Sequence, residues 1–328
     1  MTADPEELVP ALRRALGRQW QFHMRGEQLA IRHQAAGSPY RPARTAPAWP
    51  EMLARIEGAF AGHGIARAHP LPIRWNHETD FTISAIQALD PYLKRRQEFT
   101  YRQGYLPQPV IRFTGHRDEA GNLADGFLTA FVNISCIQPI AGIDEHAAIL
   151  DAWLTVLSRL GLHARHIQIL GRITSWRRRE VRGVTLHIRH ADLPIGDLVL
   201  LWNAEDPSVM VTDLGSGLER LRWAVTRAPW QQIVHGPLAG HASLDVLDAI
   251  RTGTLITGSG IRPAARGCGG ALRKLSRTIP ASDARLGLST AVRHACEYWS
   301  LTATMNLPWP HICQILEHEV LSAPRTSR

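Results

Sequence analysis

Apolar residues recur at helical spacing in two stretches near the start of the chain. The first helix is predicted over 6–35, where the apolar positions that repeat about every four residues are Leu8, Leu12, Leu16 and Trp20. Gly37 follows this pattern and is expected to end it. After a loop rich in Pro, Ala and Arg, a second helix is predicted from Pro50 to about Ala61. The chain is therefore expected to open with two helices.

Beyond the second helix, short runs of apolar and β-branched residues replace the helical spacing. The predicted strands are 72–75, 81–83, 110–113, 127–137, 166–170, 184–188, 198–202 and 209–212. One helix interrupts them at 144–162, with Asp144 as its N-cap and Gly161 as the residue that stops it. After the last strand the pattern is helical to the end. We therefore predict an α+β part, 1–230, followed by an all-helical part, 231–328.

Composition narrows the class of protein. With 328 residues, of which 45% are hydrophobic, the chain can bury a sizeable core, which excludes a disordered tail protein and a disulfide miniprotein. Basic residues number 37 against 29 acidic ones, which gives a formal charge of +8, and only Lys94 and Lys274 are lysines. Because Arg is a fixed bidentate phosphate binder and a poor proton carrier, the basic set suits phosphate contacts.

The cysteines and the hydropathy favour a cytoplasmic protein. The four cysteines are scattered without a CxxC pair, so neither a disulfide framework nor a zinc ribbon is predicted. The first residues are acidic and then amphipathic, which is not the pattern of a signal peptide. No apolar stretch reaches the roughly 20 residues that a membrane span needs. We expect a soluble cytoplasmic protein with no membrane partner.

Several catalytic signatures are absent, among them the P-loop, the GxSxG elbow, the HExxH zinc motif and the kinase set. The histidine pairs His163/His166 and His187/His190 are possible metal ligands. His187 and His190 lie three apart in a predicted strand, so their side chains should leave opposite faces and not share an ion. We interpret both pairs as surface or hydrogen-bonded histidines, and no metal ligand is predicted among the residues.

The strongest local signal is VMVTDLGSGLERLRWA (209–224). A β run is predicted to end at Asp213, a turn with Gly215 and Gly217 to follow, and an amphipathic helix to open with Arg220 in its first turns. The glycines let a ligand approach the backbone closely. Asp213 then offers a carboxylate to an amine, and Arg220 a planar cation to a phosphate. On this segment alone, a plain strand–turn–helix connection with a surface Arg is the favoured interpretation.

A second segment favours a ligand-binding role for this motif over a plain connection. QPVIR (108–112) reads as a strand that carries Arg112, and a polar loop (113–125) and an apolar run (126–134) follow it. Strand, long polar loop and antiparallel return strand is the layout of the second signature motif of class II aminoacyl-tRNA synthetases. GxGxER is their third motif.

With further segments in the same order, the sequence resembles the catalytic domain of alanyl-tRNA synthetase, nearest to the archaeal form and truncated. The likeness extends over about 70–278 and is more specific than any one motif. The segments that carry it are RW (74–75), DFTISAI (80–86), PY (91–92), QPVIRF (108–113), TAF (129–131), DLGSGLERLRWA (213–224), LDAIR (247–251) and GIRPAARGCGGALRKLSR (260–277).

The resemblance implies a class II synthetase-like antiparallel sheet flanked by helices, followed by a helical domain that begins the family's tRNA-recognition region. It also implies ATP and Mg²⁺. Arg112 would bind the α-phosphate and stabilise charge in the in-line transition state, and Arg220 would hold the γ-phosphate. The other residues implied for ATP are Phe131, stacked on adenine, Gly215 and Gly217.

On the amino-acid side, the resemblance implies that Asp213 pairs with the α-ammonium group and that Trp176 lies beside the pocket. His116 and Arg117 fall in the loop that faces ATP and the acceptor end. The implied enzyme is an ATP-dependent, AMP-releasing ligase that forms an aminoacyl-adenylate. The amino-acid carboxylate is then the nucleophile, so no protein nucleophile is needed, and we expect Cys268 to be inert.

Departures from the family pattern bear on ATP, on the amino acid and on the acceptor. The phosphate-side Arg of the family's R-H-x-T is missing from 125–129, and the GGNxGP loop over the amino-acid pocket, which bears on specificity for alanine, appears as 179–184. The family's Asn that reads the G·U pair of the tRNA falls at Ala265, which has no side-chain donor or acceptor for that readout. The helical region is short, so editing and C-terminal domains are not expected.

Three functions follow from these observations. In the first, alanine or another small amino acid is activated and passed to a non-tRNA acceptor, a small molecule or a carrier protein, in natural-product biosynthesis. In the second, a minimal alanyl-tRNA synthetase still aminoacylates tRNA, with basic residues contacting phosphates, although Ala265 weakens this partner. In the third, a non-catalytic paralogue regulates or binds tRNA.

Overall fold

The computed structural model of the chain describes residues 5–75, 77–99, 103–119, 121–281 and 287–322. The fold is α+β and contains a nine-stranded antiparallel sheet. The strands are β1 (Trp20–Arg25), β2 (Gln28–His33), β3 (Gly104–Ile111), β4 (Ala130–Ile140), β5 (Ile167–Arg172), β6 (Trp176–Arg178), β7 (Val181–His190), β8 (Leu193–Asn203) and β9 (Met210–Gly217). Their order across the sheet is β1-β2-β5-β7-β8-β9-β4-β3, and β6 pairs with β7.

The described residues also form ten α-helices. These are α1 (Pro5–Leu16), α2 (Trp49–Gly62), α3 (Asp90–Arg95), α4 (Ile143–Arg159), α5 (Leu218–Thr226), α6 (Trp230–His235), α7 (Leu244–Gly258), α8 (Gly267–Ser276), α9 (Leu288–Trp299) and α10 (Trp309–Ser322). Three short 3₁₀ turns accompany them at Ala85–Leu89, Ala164–His166 and Gly236–Leu238.

The chain divides into two compact units. The first is drawn from 1–69, 85–107 and 133–227, and the second from 70–84, 108–132 and 228–328. Each unit is therefore discontinuous, and β3 and β4 each contribute residues to both. The division that we placed at 230 stays a prediction, since the second unit also takes in two earlier segments.

In the first unit, helices bury one face of the sheet. α4 packs on β9 and against α1 and α2, and Thr212, Leu214 and Ser216 of β9 are buried on that side. His146 of α4 is fully buried and shares a 2.8 Å hydrogen bond with Thr212 through Nδ1. Burial lowers the pKa of His146 to about 3, so the imidazole is neutral and packs as part of the core.

The second unit is built around α7, which α8, α9 and α10 contact. Ser243 caps its N-terminus by accepting a 3.3 Å hydrogen bond from the Val246 backbone N–H. Every residue over 246–258 is buried, including the charged residues Asp248 and Arg251. A helix buried on all sides is the centre of its domain rather than a surface element.

The helix predicted over 6–35 is wrong, because α1 ends at Leu16 and the rest forms the β1–β2 hairpin. Gly17 has φ +70°, and Gly26 in the hairpin turn has φ +56°, a region that favours glycine. Leu29 and Ile31 are buried at alternate positions of β2, which is strand spacing. The helical spacing that we extended to Trp20 therefore stops four residues earlier.

Most of the other predicted elements are confirmed with shifted ends. The helix predicted from Pro50 is α2, and the residues after Gly217 are helical or loop where they are described. The predicted strands 72–75 and 81–83 are wrong, since only a single bridge joins Arg74 to Phe81. Asp144 is not the N-cap of α4 but lies in its first turn, because Gly142 occupies the cap position.

Candidate functional site

The glycine motif of 213–217 is part of a strand rather than a turn, which corrects the sequence prediction. β9 keeps its pairing with β4 to its last residue, where Gly217 lies opposite Asn133. Along β9 the half-buried residues Asp213, Gly215 and Gly217 alternate with the buried Leu214 and Ser216. The carboxylate and both glycines therefore share the less buried face of the sheet in the first unit.

β9 and β8 approach each other closely at Gly215. A Cβ placed on Gly196 of β8 would lie 2.5 Å from the Gly215 carbonyl oxygen, so a side chain does not fit at that position. At Gly215 itself a Cβ would meet the Asn133 amide oxygen at 3.4 Å, an ordinary contact. Packing against β9 therefore requires glycine at position 196, whereas an Ala side chain would fit at position 215. A substitution at Gly215 can therefore test whether a ligand approaches the backbone there without disturbing the packing of the sheet.

Arg220 lies in the first turn of α5, directly after β9. Its Nη1 donates to the Pro194 carbonyl oxygen at 3.4 Å, which holds the side chain near the start of β8. Burial lowers the pKa of Arg220, and the negative charge of Asp197 opposes that effect. An Arg side chain stays protonated under these conditions, so the position carries a partly desolvated, oriented cation.

Trp176 lies on the same sheet face as Asp213. On β6 it pairs with Gly183 of β7, where an added Cβ would come within 2.6 Å of the indole, so the ring lies directly on the glycine. The indole Nε1 donates to the Thr185 hydroxyl at 3.1 Å, and the residue is 39% exposed. Thr185 pairs with Val199, which pairs with Asp213, and paired residues share a face.

The next row of the same face carries two residues to which the sequence analysis gave no catalytic role. His187 pairs with Asp197, and Asp197 pairs with Gly215. The His187 Nδ1 lies 2.7 Å from the Asp197 Oδ1, and both side chains are more than half exposed, at 61% and 54%. His190 is buried, which confirms that His187 and His190 point to opposite faces. Only the strand register could have revealed this pair.

In the second unit, Arg112 and Phe131 come together. The Arg112 Nε donates to the Ile83 carbonyl oxygen at 2.6 Å, and its backbone N–H donates to the Thr129 carbonyl oxygen at 2.7 Å. The guanidinium carbon lies 5.2 Å from the centroid of the Phe131 ring. The guanidinium is thus oriented, and one face of the Phe131 ring is already covered.

The loop between β3 and β4 is tied to the N-terminal half of α7. Asp245 accepts from the Arg117 Nη1 at 2.9 Å and from the Leu123 backbone N–H at 3.1 Å. Asp248 accepts from the Thr129 backbone N–H at 3.0 Å, and burial raises the pKa of Asp248 from 3.8 to about 6. The sequence offered no signal for these ties, since both acids lie within an otherwise ordinary helical segment.

The remaining candidate residues have plainer surroundings. The His116 ring packs edge-on against Phe127, with the ring centroids 4.9 Å apart. The Cys268 thiol is buried and donates to the Asp80 carbonyl oxygen at 3.2 Å, and burial raises the pKa of Cys268. A raised pKa disfavours the thiolate, which agrees with an inert cysteine. Ala265 is exposed just before α8.

The part of the chain that the structure describes contains no cluster of three His, Cys, Asp or Glu side chains placed to hold a metal ion. Within the same residues, no helix combines the length and the apolarity that crossing a membrane requires. Neither the known protein-family models nor the curated proteins give a match to this sequence. The likeness to alanyl-tRNA synthetases therefore rests on the order of the motifs.

Proposed function

We propose that the protein is an ATP-dependent ligase that activates alanine or another small amino acid as its adenylate and passes the acyl group to an acceptor other than tRNA. The observation that supports this most is one sheet face of the first unit. There a carboxylate (Asp213) and two side-chain-free positions (Gly215 and Gly217) lie on β9, and an oriented guanidinium (Arg220) follows in the first turn of α5, all within eight residues.

Each side chain has a role in this proposal. Asp213 binds the α-ammonium group of the amino acid, which orients its carboxylate for attack. The carboxylate oxygen attacks the α-phosphorus of ATP, the bond to the β-phosphate oxygen breaks, and pyrophosphate leaves. Arg220 neutralises charge on the leaving phosphates. Trp176 bounds the space for the amino-acid side chain.

ATP would enter as its Mg²⁺ complex, a substrate rather than a resident group. The first unit offers a good fit for phosphate, because the Arg220 guanidinium is oriented through the Pro194 carbonyl oxygen. Mg²⁺ is usually held by one or two carboxylates together with substrate phosphates, so the described residues need not form a closed metal cage. Arg112 and Phe131, which the resemblance also implies for ATP, form a cluster of their own in the second unit, where Arg112 covers one face of the Phe131 ring.

A test is amino-acid-dependent exchange of pyrophosphate into ATP, measured for all twenty amino acids without tRNA. We expect exchange with alanine or a similarly small amino acid. Asp213→Asn and Arg220→Ala should each lower kcat/KM for exchange by about 10²–10³-fold, the usual loss for a group that stabilises transition-state charge. Asp206→Asn, at a half-exposed turn position, and Arg293→Ala, at an exposed position of α9, are matched controls and should leave exchange unchanged.

No exchange with any amino acid by the wild-type protein would contradict the proposal and favour a non-catalytic paralogue. Full exchange activity in both Asp213→Asn and Arg220→Ala would mean that the activation site lies elsewhere. The first outcome would show that the reaction does not occur, and the second would show that other residues carry it out.

Aminoacylation of tRNA is the second candidate, and one observation favours it. The β6–β7 hairpin exposes four arginines, Arg177, Arg178, Arg179 and Arg182. Arg177 and Arg182 lie directly opposite each other, an arrangement of like charges that costs stability unless an anion binds there. Transfer of the activated amino acid to tRNA, measured beside transfer to small nucleophiles, separates the two candidates.

A further inference from the structure

The exposed pair His187–Asp197 has the geometry of an oriented imidazole base. An ionised Asp only accepts hydrogen bonds, so the His187 Nδ1 at 2.7 Å from Asp197 Oδ1 must carry the proton when the ring is neutral. The lone pair then lies on Nε2. Among the described residues, no side chain or backbone group forms a hydrogen bond with Nε2, and the His187 side chain is 61% exposed.

The pair lies on the sheet face that carries the proposed activation site. Asp197 pairs directly with Gly215, and His187 is one strand further along the same row. Adjacent strands lie about 4.8 Å apart, so His187 is about 10 Å from Gly215. That span is comparable with the length of a small bound substrate. Asp197 also acts electrostatically on Arg220, which links the pair to the phosphate-binding cation.

We propose that His187 is the general base of the transfer step and that the acceptor is an amine or an alcohol. This inference rests on the proposed function. The acceptor nitrogen or oxygen attacks the carbonyl carbon of the aminoacyl-adenylate, and a C–N or C–O bond forms. The bond from the carbonyl carbon to the phosphate oxygen breaks, AMP leaves with that electron pair, and the acceptor proton passes to His187 Nε2.

The chemistry explains why the acceptor is not a thiol. An alcohol holds its proton far more tightly than imidazole does, and a neutral amine becomes a strong acid only as its nitrogen attacks, so both gain from a positioned base that takes the proton at that moment. A thiol ionises close to neutral pH and needs this help least. Asp197 is a positioning residue here, because it fixes the tautomer and the orientation of the ring.

The experiment compares activation and transfer in the same full-length variants. Activation is measured by pyrophosphate exchange and by trapping the adenylate with hydroxylamine, a strong nucleophile at neutral pH. Transfer is measured with three probes, glycinamide, glycerol and pantetheine. We expect wild-type transfer to glycinamide or glycerol to exceed transfer to pantetheine. His187→Gln should lower it by about 10²-fold or more, with exchange and hydroxylamine trapping within twofold of wild type.

Controls separate catalysis from folding. Asp197→Asn should lower transfer by about 10-fold, a smaller loss, because the ring keeps its chemistry but not its orientation. His163→Gln, an exposed histidine outside the strands, should change neither step. Added imidazole should restore part of the transfer activity to His187→Ala and none to Asp213→Asn.

Normal activation together with unchanged transfer in His187→Gln would overturn this inference and leave the proposed function standing. Preference for pantetheine, or no transfer to glycinamide or glycerol in a wild-type protein that activates, would also overturn it. Absence of exchange in the wild type would overturn the proposed function and this inference with it.

Discussion

Polar side chains on the sheet face of the first unit and those of α7 in the second unit have opposite surroundings. On the sheet face of the first unit, Trp176, His187 and Asp197 are exposed, and Asp213 is half-buried. In the second unit, Asp248 and Arg251 of α7 are buried and bonded to backbone, Asp248 to the Thr129 N–H and Arg251 to the Ala130 carbonyl oxygen. Exposed, oriented groups can bind a ligand, whereas buried and satisfied ones mainly hold structure. We therefore expect substitutions on this sheet face to affect binding or catalysis, and substitutions of the buried α7 residues to affect stability.

The largest effect on stability is expected for Arg251, a buried residue of α7 in the second unit. Arg251 is 4% exposed, donates to the Ala130 carbonyl oxygen and lies over Trp299, with its guanidinium carbon 4.3 Å from the ring centroid. Arg251→Met should destabilise the protein by about 3–5 kcal/mol, because it leaves a buried carbonyl and the nearby Asp248 without the cation. Urea unfolding measures this.

Arg293→Met is the matched control on α9, where Arg293 forms an exposed pair with Glu297. This variant should change the free energy of unfolding by less than about 0.5 kcal/mol. Equal losses in the two variants would show that the buried cation has no special role in the second unit.

Asp248 is expected to produce the next effect, and it depends on pH. Because its pKa in the folded protein is about 6, above 3.8, the folded protein holds this proton more tightly than the unfolded chain does. The free energy of unfolding that this group contributes therefore falls as pH rises from about 4 to about 6, by about 3 kcal/mol.

The buried histidines act in the opposite direction over a similar range, so the effect of Asp248 must be isolated as a difference. Burial lowers the pKa of His146 and His235, each to about 3. The unfolding free energy of Asp248→Asn, measured from pH 4 to pH 7, should rise relative to wild type across that interval. A pH-independent difference would contradict the prediction. Asp245→Asn, half-buried on the same helix, serves as the control.

A smaller effect is expected on the sheet face of the first unit, at Gly183. An Ala side chain would meet the Trp176 indole at 2.6 Å and the Leu201 side chain at 2.9 Å, so the indole must move. We expect Gly183→Ala to shift Trp176 fluorescence and to raise KM for the amino acid about 10-fold, with kcat for exchange little changed. A lower kcat with unchanged KM would show that Trp176 does not bound the amino-acid pocket.

The smallest effect is expected at the β6–β7 hairpin. Arg182→Glu places opposite charges across from each other at the pair with Arg177, which should raise Tm by about 1 °C. If the hairpin binds RNA, the same change should weaken tRNA binding at low salt. Arg189→Glu, on the same strand but paired with Pro194, is the control for charge alone. Unchanged tRNA binding would remove the main support for the second candidate function.

Much of the fold could be predicted from spacing, and the failures have physical causes. Helical spacing failed at Trp20 because one residue in phase with Leu16 extended the pattern past Gly17, where the backbone turns. The glycines of β9 suggested a turn, since glycine is common in turns, but pairing with β4 keeps them extended. Spacing reports local preference, and strand pairing overrides it.

The residues of the candidate site also differ in whether a local motif or strand pairing brings them together. Asp213, Arg220 and Arg112 could be proposed from local motifs, because each motif keeps its residues close together in sequence. The pair of His187 with Asp197 was missed, since it depends on the register of β7 against β8 rather than on a motif. The ties from Asp245 and Asp248 were missed for a similar reason, as their partners lie more than a hundred residues away.

The attachment of the loop between β3 and β4 to α7 has a consequence for local opening. The amides of Leu123 and Thr129 lie in a long connection, where backbone N–H groups commonly exchange quickly with solvent. Here both donate to carboxylates of α7. We therefore expect their exchange to follow the sub-global opening of the α7 helix cluster, so the second half of this loop, from Leu123 to Thr129, should open together with α7.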